Sequence, residues 1–392
     1  MGRAIIAVLD LHLGPHDAAA SMINPFRKTD ATTSTEPTKD DITAALRNVM
    51  EPELHKDIVT LNMVKNVAVC AGVAKVTIEL TTPACPLKKE IEDSARAAVL
   101  RVPGMKELNV EFTANVTSRM GVDRPSIAGI KNVIAVTSGK GGVGKSTCTV
   151  NLAVALARSG ARVGLLDCDV YGPDIPTMLG IQDKPSGTPD RKFIPLERHG
   201  VKSMSVGYLV EEDAPVVWRG PMLHKVIEQF LKDVSWGELD YLLVDMPPGT
   251  GDAQLSLSQL VPLTGAVVVT TPQDVALVDV KKAIGMFKQV KVEVLGIVEN
   301  MAGFTCEECG HVTHLFGQGG ADKLAVKFNL PVLGRVPLDP RVRVGGDAGD
   351  PIVVSHPDSP AAEIFRDVAG KLAARISVKN ASGAMAGLPV LE

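Results

Sequence analysis

Ser138 to Thr147 read Ser-Gly-Lys-Gly-Gly-Val-Gly-Lys-Ser-Thr, and the setting of this segment leaves few folds open to the chain. The apolar run Asn132 to Thr137 leads into it, and the helical pattern Val150 to Ala157 leads out. A strand, a loop of the form G-x-x-x-x-G-K-[ST] and a helix in direct succession make a phosphate cradle. Gly139, Gly141, Gly142 and Gly144 let the backbone close on an oxyanion, with Val143 between the last two. The helix N-terminus adds about half a positive charge and Lys145 a full one. Ser146, followed by Thr147, is expected to ligate Mg²⁺.

After that loop the same rhythm continues. Arg162 to Asp167, Ser203 to Val206, Tyr241 to Asp245, Ala266 to Thr270, Val292 to Val298 and Val332 to Arg335 are strand-length apolar runs separated by helix-length segments. Continuous apolar runs mean strands covered on both faces, so residues 131–376 are expected to form an α/β P-loop domain with a mostly parallel sheet flanked by helices. The region before it reads differently. Ile42, Ala45, Leu46 and Val49 recur at helical spacing, with Asp40 or Asp41 as the expected N-cap. Strands follow at Val64 to Cys70 and Ala74 to Leu80 around the turn Ala71-Gly72-Val73, then a helix from Pro86 to Leu100 and a strand at Val110 to Phe112. These form a small α+β domain over 40–118, joined by a linker over 119–130. Residues 1–39 have the composition of a disordered lead-in, and 377–392 read as a flexible tail.

With 392 residues, 45% of them hydrophobic, the chain can bury two cores. Its 41 basic and 45 acidic residues set up no broad positive field, so nucleic acid is not an expected partner. No run approaches the roughly 20 apolar residues that span a bilayer, so no membrane partner is expected either. Six cysteines without a secretory signal pattern suit a reducing compartment, with the cytoplasm as the expected location.

Acidic residues end two of the strands. Asp167 and Asp169 follow Leu165-Leu166, and Asp245 closes Leu242-Leu243-Val244, ahead of the loop Met246 to Asp252, whose prolines and glycines suit a segment that reports on a γ-phosphate. Lys140, directly after the first glycine of the cradle, makes the segment resemble the deviant Walker A loop of the ParA/MinD superfamily. That resemblance implies a homodimer in which Lys140 reaches the partner's nucleotide, Asp169 orients the attacking water and Asp245 holds Mg²⁺. It also implies base contacts from Asn300 and the Pro272-Gln273 turn, with Asn300 reading adenine.

Cys306-Glu307-Glu308-Cys309-Gly310-His311 falls in a loop after the strand ending near Val298. A Cys-x-x-Cys pair can bind zinc, bind iron-sulfur or exchange disulfides. Exchange favours a pair at a helix start, which this loop lacks. His311 and His314 could complete a zinc set, although ligands this close in sequence leave little chain to close a tetrahedron. In a symmetric dimer two such pairs offer four thiolates, the complement of a 4Fe-4S cluster. All three readings stay open on the residues alone.

The chain resembles the Mrp/ApbC group of P-loop proteins. The matching segments are Gly139 to Thr147, Asp167 to Pro173, Val217 to Met222, Asp245 to Asp252, Glu299 to Met301, Cys306 to His311 and Phe316 to Gly320. This implies ATP binding, slow hydrolysis, a labile bridging cluster on Cys306 and Cys309, and delivery to apo iron-sulfur proteins in company with an assembly scaffold. The first domain is similar to the SufT/PaaD-related iron-sulfur maturation domains through Glu51 to Leu54, Asp57 to Val59 and Thr81 to Pro86, with Glu51 where an Asp is usual. Cys85 becomes a candidate second reactive thiol, Cys148 and Cys168 are expected to pack as small hydrophobes, and Cys70 alternates with core positions. A positioning ATPase of the ParA/MinD type and a reductase component like the nitrogenase iron protein are the rival readings. The glycine-rich C-terminus and the single tight cysteine pair count against them.

Overall fold

The computed structural model describes residues 36–118, 127–210, 220–249, 252–306 and 308–386. The expected lead-in up to residue 35, the Gly121 to Ser126 linker, the first half of the Val217 to Met222 match and the tail beyond Ala386 lie outside the described residues. Helix α1 (Lys39–Leu46) begins at Thr38 rather than at Asp40 or Asp41. The Thr38 hydroxyl accepts the Asp41 N–H at 3.3 Å and the Asp41 carboxylate accepts the Thr38 N–H at 2.9 Å. This reciprocal box satisfies two helix-start donors at once, which an aspartate cap alone does not.

A short pairing of β1 (Met50–Glu51) with β2 (Lys56–Asp57) precedes the antiparallel hairpin β3 (Val64–Cys70) and β4 (Val73–Leu80). Ala71 and Gly72 turn it with φ of 50° and 82°, the double left-handed pair that matches strand twist. Helix α2 (Lys88–Val99) then crosses to β5 (Glu107–Ala114), parallel to β4. Ala74, Val76, Ile78 and Leu80 alternate inward from β4 against Ile42 and Leu46 of α1 and Ile91, Ala95 and Val99 of α2. Cys70 is exposed, contrary to expectation, because β3 is an edge strand of which only Val67 is buried.

The second domain opens with β6 (Ile130–Ser138), α3 (Lys145–Arg158), β7 (Val163–Asp167), α4 (Ile175–Leu179), β8 (Leu196–Arg198) and β9 (Val201–Met204). It continues with α5 (Gly220–Lys232), β10 (Leu239–Asp245), α6 (Asp252–Leu260), β11 (Gly265–Thr270), α7 (Asp274–Gln289) and β12 (Val294–Glu299). The eight-stranded sheet, completed by β15 (Val332–Arg335), has the order β15-β12-β11-β6-β10-β7-β9-β8 and is parallel except at β8. Consecutive residues of β6 divide between its faces: Ile134 and Val136 pack toward α3, Val133 and Ala135 toward α5 and α7. The chain winds outward to both sides of β6, so the carboxyl ends of β6 and β10 border a switch point, where ligands of such sheets bind.

Between β12 and β15 the chain makes a small hairpin, β13 (Phe304–Thr305) with β14 (Val312–Thr313), and then α8 (Gly320–Phe328). Three helices follow, α9 (Pro340–Ala348), α10 (Ile352–Ser355) and α11 (Pro360–Ala386). Residues 377–386, expected to be a flexible tail, therefore continue α11. Phe365, Val368, Leu372 and Ile376 bury that helix against α3 and β15. Near its end, the Asn380 amide donates to Thr117 O at 2.8 Å and Asn132 Oδ1 at 3.0 Å. Packing of this kind outweighs the weak helix propensity of Asn, Ser and Gly. The first domain docks on the same layer: the buried Tyr241 hydroxyl donates to Thr82 Oγ1 at 3.0 Å, and Gly370 leaves room for the Ala84 carbonyl.

Candidate functional site

The cradle follows β6 as the sequence requires. Gly139 lies so close to Asp279 and Val280 of α7 that a Cβ has no space, and Gly142 and Gly144 hold φ of 78° and 79°. Gly144 is the N-cap of α3, and the first backbone bond of that helix is Cys148 N–H to Gly144 O at 3.0 Å. The N–H groups of the preceding turn thus have no carbonyl behind them and are left for an anion. Ser138 Oγ donates to Lys140 O at 2.9 Å, and the Gly249 N–H, from the loop after β10, donates to Ser138 O at 3.1 Å. The loop that carries Lys140 is therefore anchored both to itself and to the segment behind Asp245. Thr250 and Gly251 of that segment are outside the described residues.

Asp245 is the centre of the buried site. The Lys145 ammonium donates to its Oδ2 at 2.6 Å, Ser146 Oγ donates to the same oxygen at 2.7 Å, and Thr149 Oγ1 donates to Oδ1 at 2.7 Å. Asp169 stands 3.6 Å from the Lys145 ammonium. Asp167 accepts the Ser205 hydroxyl at 2.8 Å and the Asp169 N–H at 3.0 Å. Burial and then the charge of Asp245 push the Asp167 carboxyl well above its usual range, against the pull of those two donors and Lys145. Burial lifts Asp169 as well, with Lys145 opposing it. For Lys145, burial disfavours the ammonium, but Asp245, Asp169 and Asp167 outweigh it and hold its pKa above the ordinary value. A lysine this firmly charged, with backbone donors beside it, is suited to a polyphosphate.

Sequence reasoning picked Lys145, Ser146, Asp167, Asp169 and Asp245, and the fold brings them together. It missed Thr149 and Ser205. Thr149 carries a signal in hindsight, since it lies one helical turn after Lys145 and faces the same way. Ser205 carries none, because its approach to Asp167 depends on β9 lying beside β7.

Asn300, at the end of β12, donates its amide to Val143 O at 2.9 Å. It borders a cavity of about 450 Å³ whose other walls include Thr147, Met301, Pro337, Leu338 and Asp339. The cavity opens beside the helix start and has room for a nucleoside. The Pro272-Gln273 turn, expected to touch the base, does not line it. Gln273 is the N-cap of α7, and the Pro272 carbonyl packs on Gly320.

The cysteine pair sits in the turn between β13 and β14. Cys306 N–H donates to His311 O, and Gly310 N–H to Cys306 O, both at 2.9 Å, with Gly310 at φ 69°. Cys306 is half-buried and Cys309 exposed. His314 does not turn toward them: its Nδ1–H donates to Ala302 O at 2.9 Å. Among the described residues, no group of three or more His, Cys, Asp or Glu is placed to hold a metal ion. A complete zinc set within one chain is thus not assembled there. Of the other cysteines, Cys148 and Cys168 are buried, as expected, and burial pushes the Cys148 thiol up to about 12. Cys85 is half-buried in the loop docked on α11. Burial, reinforced by Glu53 and Glu51, raises its pKa despite donors from Leu87 and Lys88.

Residues 129–373 match a family model described as NUBPL iron-transfer P-loop NTPase, and residues 39–112 match one described as iron-sulfur cluster assembly protein. A Deinococcus radiodurans protein named iron-sulfur cluster carrier protein is 52% identical over 353 residues, covering 90% of this chain and 99% of its own length. An Escherichia coli protein of the same name is 46% identical over 337 residues, 86% of this chain and 91% of its own. Among solved structures, a nucleotide-binding protein from Archaeoglobus fulgidus in complex with ADP is 42% identical, with a TM-score of 0.54, covering 61% of this chain and 93% of its own. The chain therefore belongs to the NUBPL-type family of iron-transfer P-loop NTPases, alongside the iron-sulfur cluster carrier proteins.

Proposed function

We propose that this protein is an ATP-dependent iron-sulfur cluster carrier that works as a homodimer, holds a labile 4Fe-4S cluster between the Cys306–Cys309 pairs of two copies, and passes it to apo iron-sulfur proteins. The observation that carries the reading is the half-site: two thiols on an accessible turn, in a chain whose described residues complete no metal-ligand set around them. Two copies related by a two-fold axis supply four thiolates. The family membership and the carrier relatives support the cargo. An assembly scaffold that loads the dimer and a cytoplasmic location accord with six cysteines that form no disulfide.

The nucleotide site serves as a slow ATPase. Gly139 to Thr147 wrap the phosphates, Lys145 neutralises them, and Asn300 reads the adenine edge. The Ser146 hydroxyl and the Asp245 carboxylate converge as hard oxygen donors, a set that suits Mg²⁺. When bound there, Mg²⁺ neutralises charge on the phosphates. Asp169 orients the attacking water, and Lys140 reaches across the dimer to the partner's nucleotide, where its charge offsets that of the transferred group.

Protein purified without oxygen and reconstituted with iron and sulfide is expected to be a dimer carrying about four irons, with the visible spectrum of a thiolate-bound cluster. Cys306→Ala or Cys309→Ala removes the iron and leaves ATP binding intact. Tightly held zinc that survives reconstitution would sink the carrier reading.

A further inference from the structure

The walls of the nucleotide cavity adjoin the root of the cysteine hairpin. Asn300 and Met301 line one side of the cavity, and Pro337 and Leu338 line another. The chain runs from Met301 straight into the hairpin. There Ala302 N–H donates to Val336 O at 2.9 Å and Leu338 N–H donates to Gly303 O at 2.8 Å, so both walls are bonded to the hairpin's root. Met301 holds φ of 56°, a left-handed backbone that a non-glycine residue adopts only when its surroundings impose it. The segment is therefore held by its neighbours and not by local preference.

One side chain ties the returning arm to the same root. His314, directly after β14, donates Nδ1–H to Ala302 O at 2.9 Å; a carbonyl only accepts, so Nδ1 carries the proton. The imidazole packs over Gly303, where a Cβ would stand 3.3 Å from Nδ1 and 3.4 Å from Cε1. A residue that could have completed a zinc set in sequence is instead bonded to the hairpin's root.

We infer that His314 is a positioning residue that fixes the cysteine turn to the wall of the nucleotide cavity, so that base occupancy and the hold on the cluster are linked through it. The inference rests on the carrier reading above. The Asn300 amide donates one of its two N–H groups to Val143 O, and a base that bonds the same amide bears through it on the adjoining Met301 and Ala302. The bond from His314 passes this change to the arm that follows Cys309. Because linkage is reciprocal, cluster loading alters nucleotide affinity by the same factor. A single exposed hydrogen bond limits the effect to roughly fivefold.

The test uses full-length protein reconstituted with iron and sulfide and follows loss of the cluster to an iron chelator, with and without saturating ADP. In the unsubstituted protein ADP is expected to change the release rate about fivefold. In His314→Ala the response falls below about 1.5-fold, with full iron loading and an unchanged ADP Kd in the cluster-free protein. His314→Asn restores the response, because its amide nitrogen takes the place of Nδ1, whereas Gly303→Ala, which crowds the ring, behaves like His314→Ala. A full ADP response in His314→Ala overturns the inference, as does a loaded unsubstituted protein indifferent to ADP. Loss of iron from His314→Ala overturns it too, by making the residue a ligand or a fold element. Iron loading that survives Cys306→Ala overturns the carrier reading itself, and the inference falls with it.

Discussion

In the phosphate cradle, Lys145, Ser146, Thr149 and Asp245 are none of them more than 9% exposed, and each bonds another member of the group. In the cysteine turn the supporting strands are two residues long, Cys309 is exposed, and the described residues leave the ligand set incomplete. Both sites lie at the carboxyl end of the same sheet. The cradle is a finished electrostatic device, preorganised because buried charges are costly unless paired and hydrogen-bonded. An open turn suits the proposed function, in which a cargo must leave. Rigidity in this chain is concentrated where charge is neutralised, and accessibility at the cysteine turn.

The largest expected effect that separates the two sites is that of Lys145→Met. ATP turnover should fall by about 100-fold or more, with the iron load unchanged. Folding stability should also drop by about 3 kcal/mol, because Asp245 loses its buried partner. Burial has already lifted Asp167 and Asp169 above the usual carboxylate range. A carboxyl with a raised folded pKa takes stability away as pH rises from its unfolded pKa to its folded one, and Lys145 offsets that cost. The deficit of Lys145→Met should therefore widen as pH rises above about 4 in denaturant melts. A similar loss of stability in Cys309→Ala would break the comparison, since that residue lies on an open turn.

Thiol chemistry sharpens the contrast by roughly tenfold steps. Toward iodoacetamide, cluster-free protein should react first at the exposed Cys309 and Cys70, then about tenfold more slowly at Cys85, whose thiol is half-buried and raised by burial and two glutamates. Cys148, with a pKa pushed up to about 12, is about one part in ten thousand thiolate at pH 8 and should stay unmodified in the native fold. Peptide mapping over time reads the order. Cys85 reacting ahead of Cys309 would make the docked loop, and not the hairpin, the accessible thiol site.

The cradle was legible in the sequence because backbone geometry demands particular residues there: Gly139 where no Cβ fits, Gly144 at φ 79°, and Lys145 at the helix start. The cysteine pair was legible as a motif and not as a site, since the described residues add no further metal ligand to it. What escaped notice depends on contacts distant in sequence. Thr149 serves Asp245 from 96 residues away, and Ser205 meets Asp167 only because two strands are neighbours. The last turns of α11 read as a flexible tail because Ser, Asn and Gly are weak helix formers, yet Asn380 is buried against Asn132 and Thr117. Cys70 alternates with apolar positions as a core residue does, but its strand is an edge.

The smallest predicted effect tests whether burial, and not charge pairing alone, distinguishes the cradle. At the opposite end of the sheet Asp240 accepts from Arg162 at 2.9 Å and from Lys131 at 3.0 Å, in a cleft open to solvent. Burial works to raise the Asp240 carboxyl, but these donors outweigh it and bring it down to about 2. A depressed carboxyl contributes stability that is present above its unfolded pKa and lost as pH falls through the folded one. Arg162 is 49% exposed, so screening limits the contribution, and Asp240→Asn should cost only about 1 kcal/mol at neutral pH. That cost should fall to roughly half by pH 3. If instead Asp240→Asn cost as much as Lys145→Met, solvent access would not separate the two clusters, and the rigidity of the cradle would need a cause other than burial.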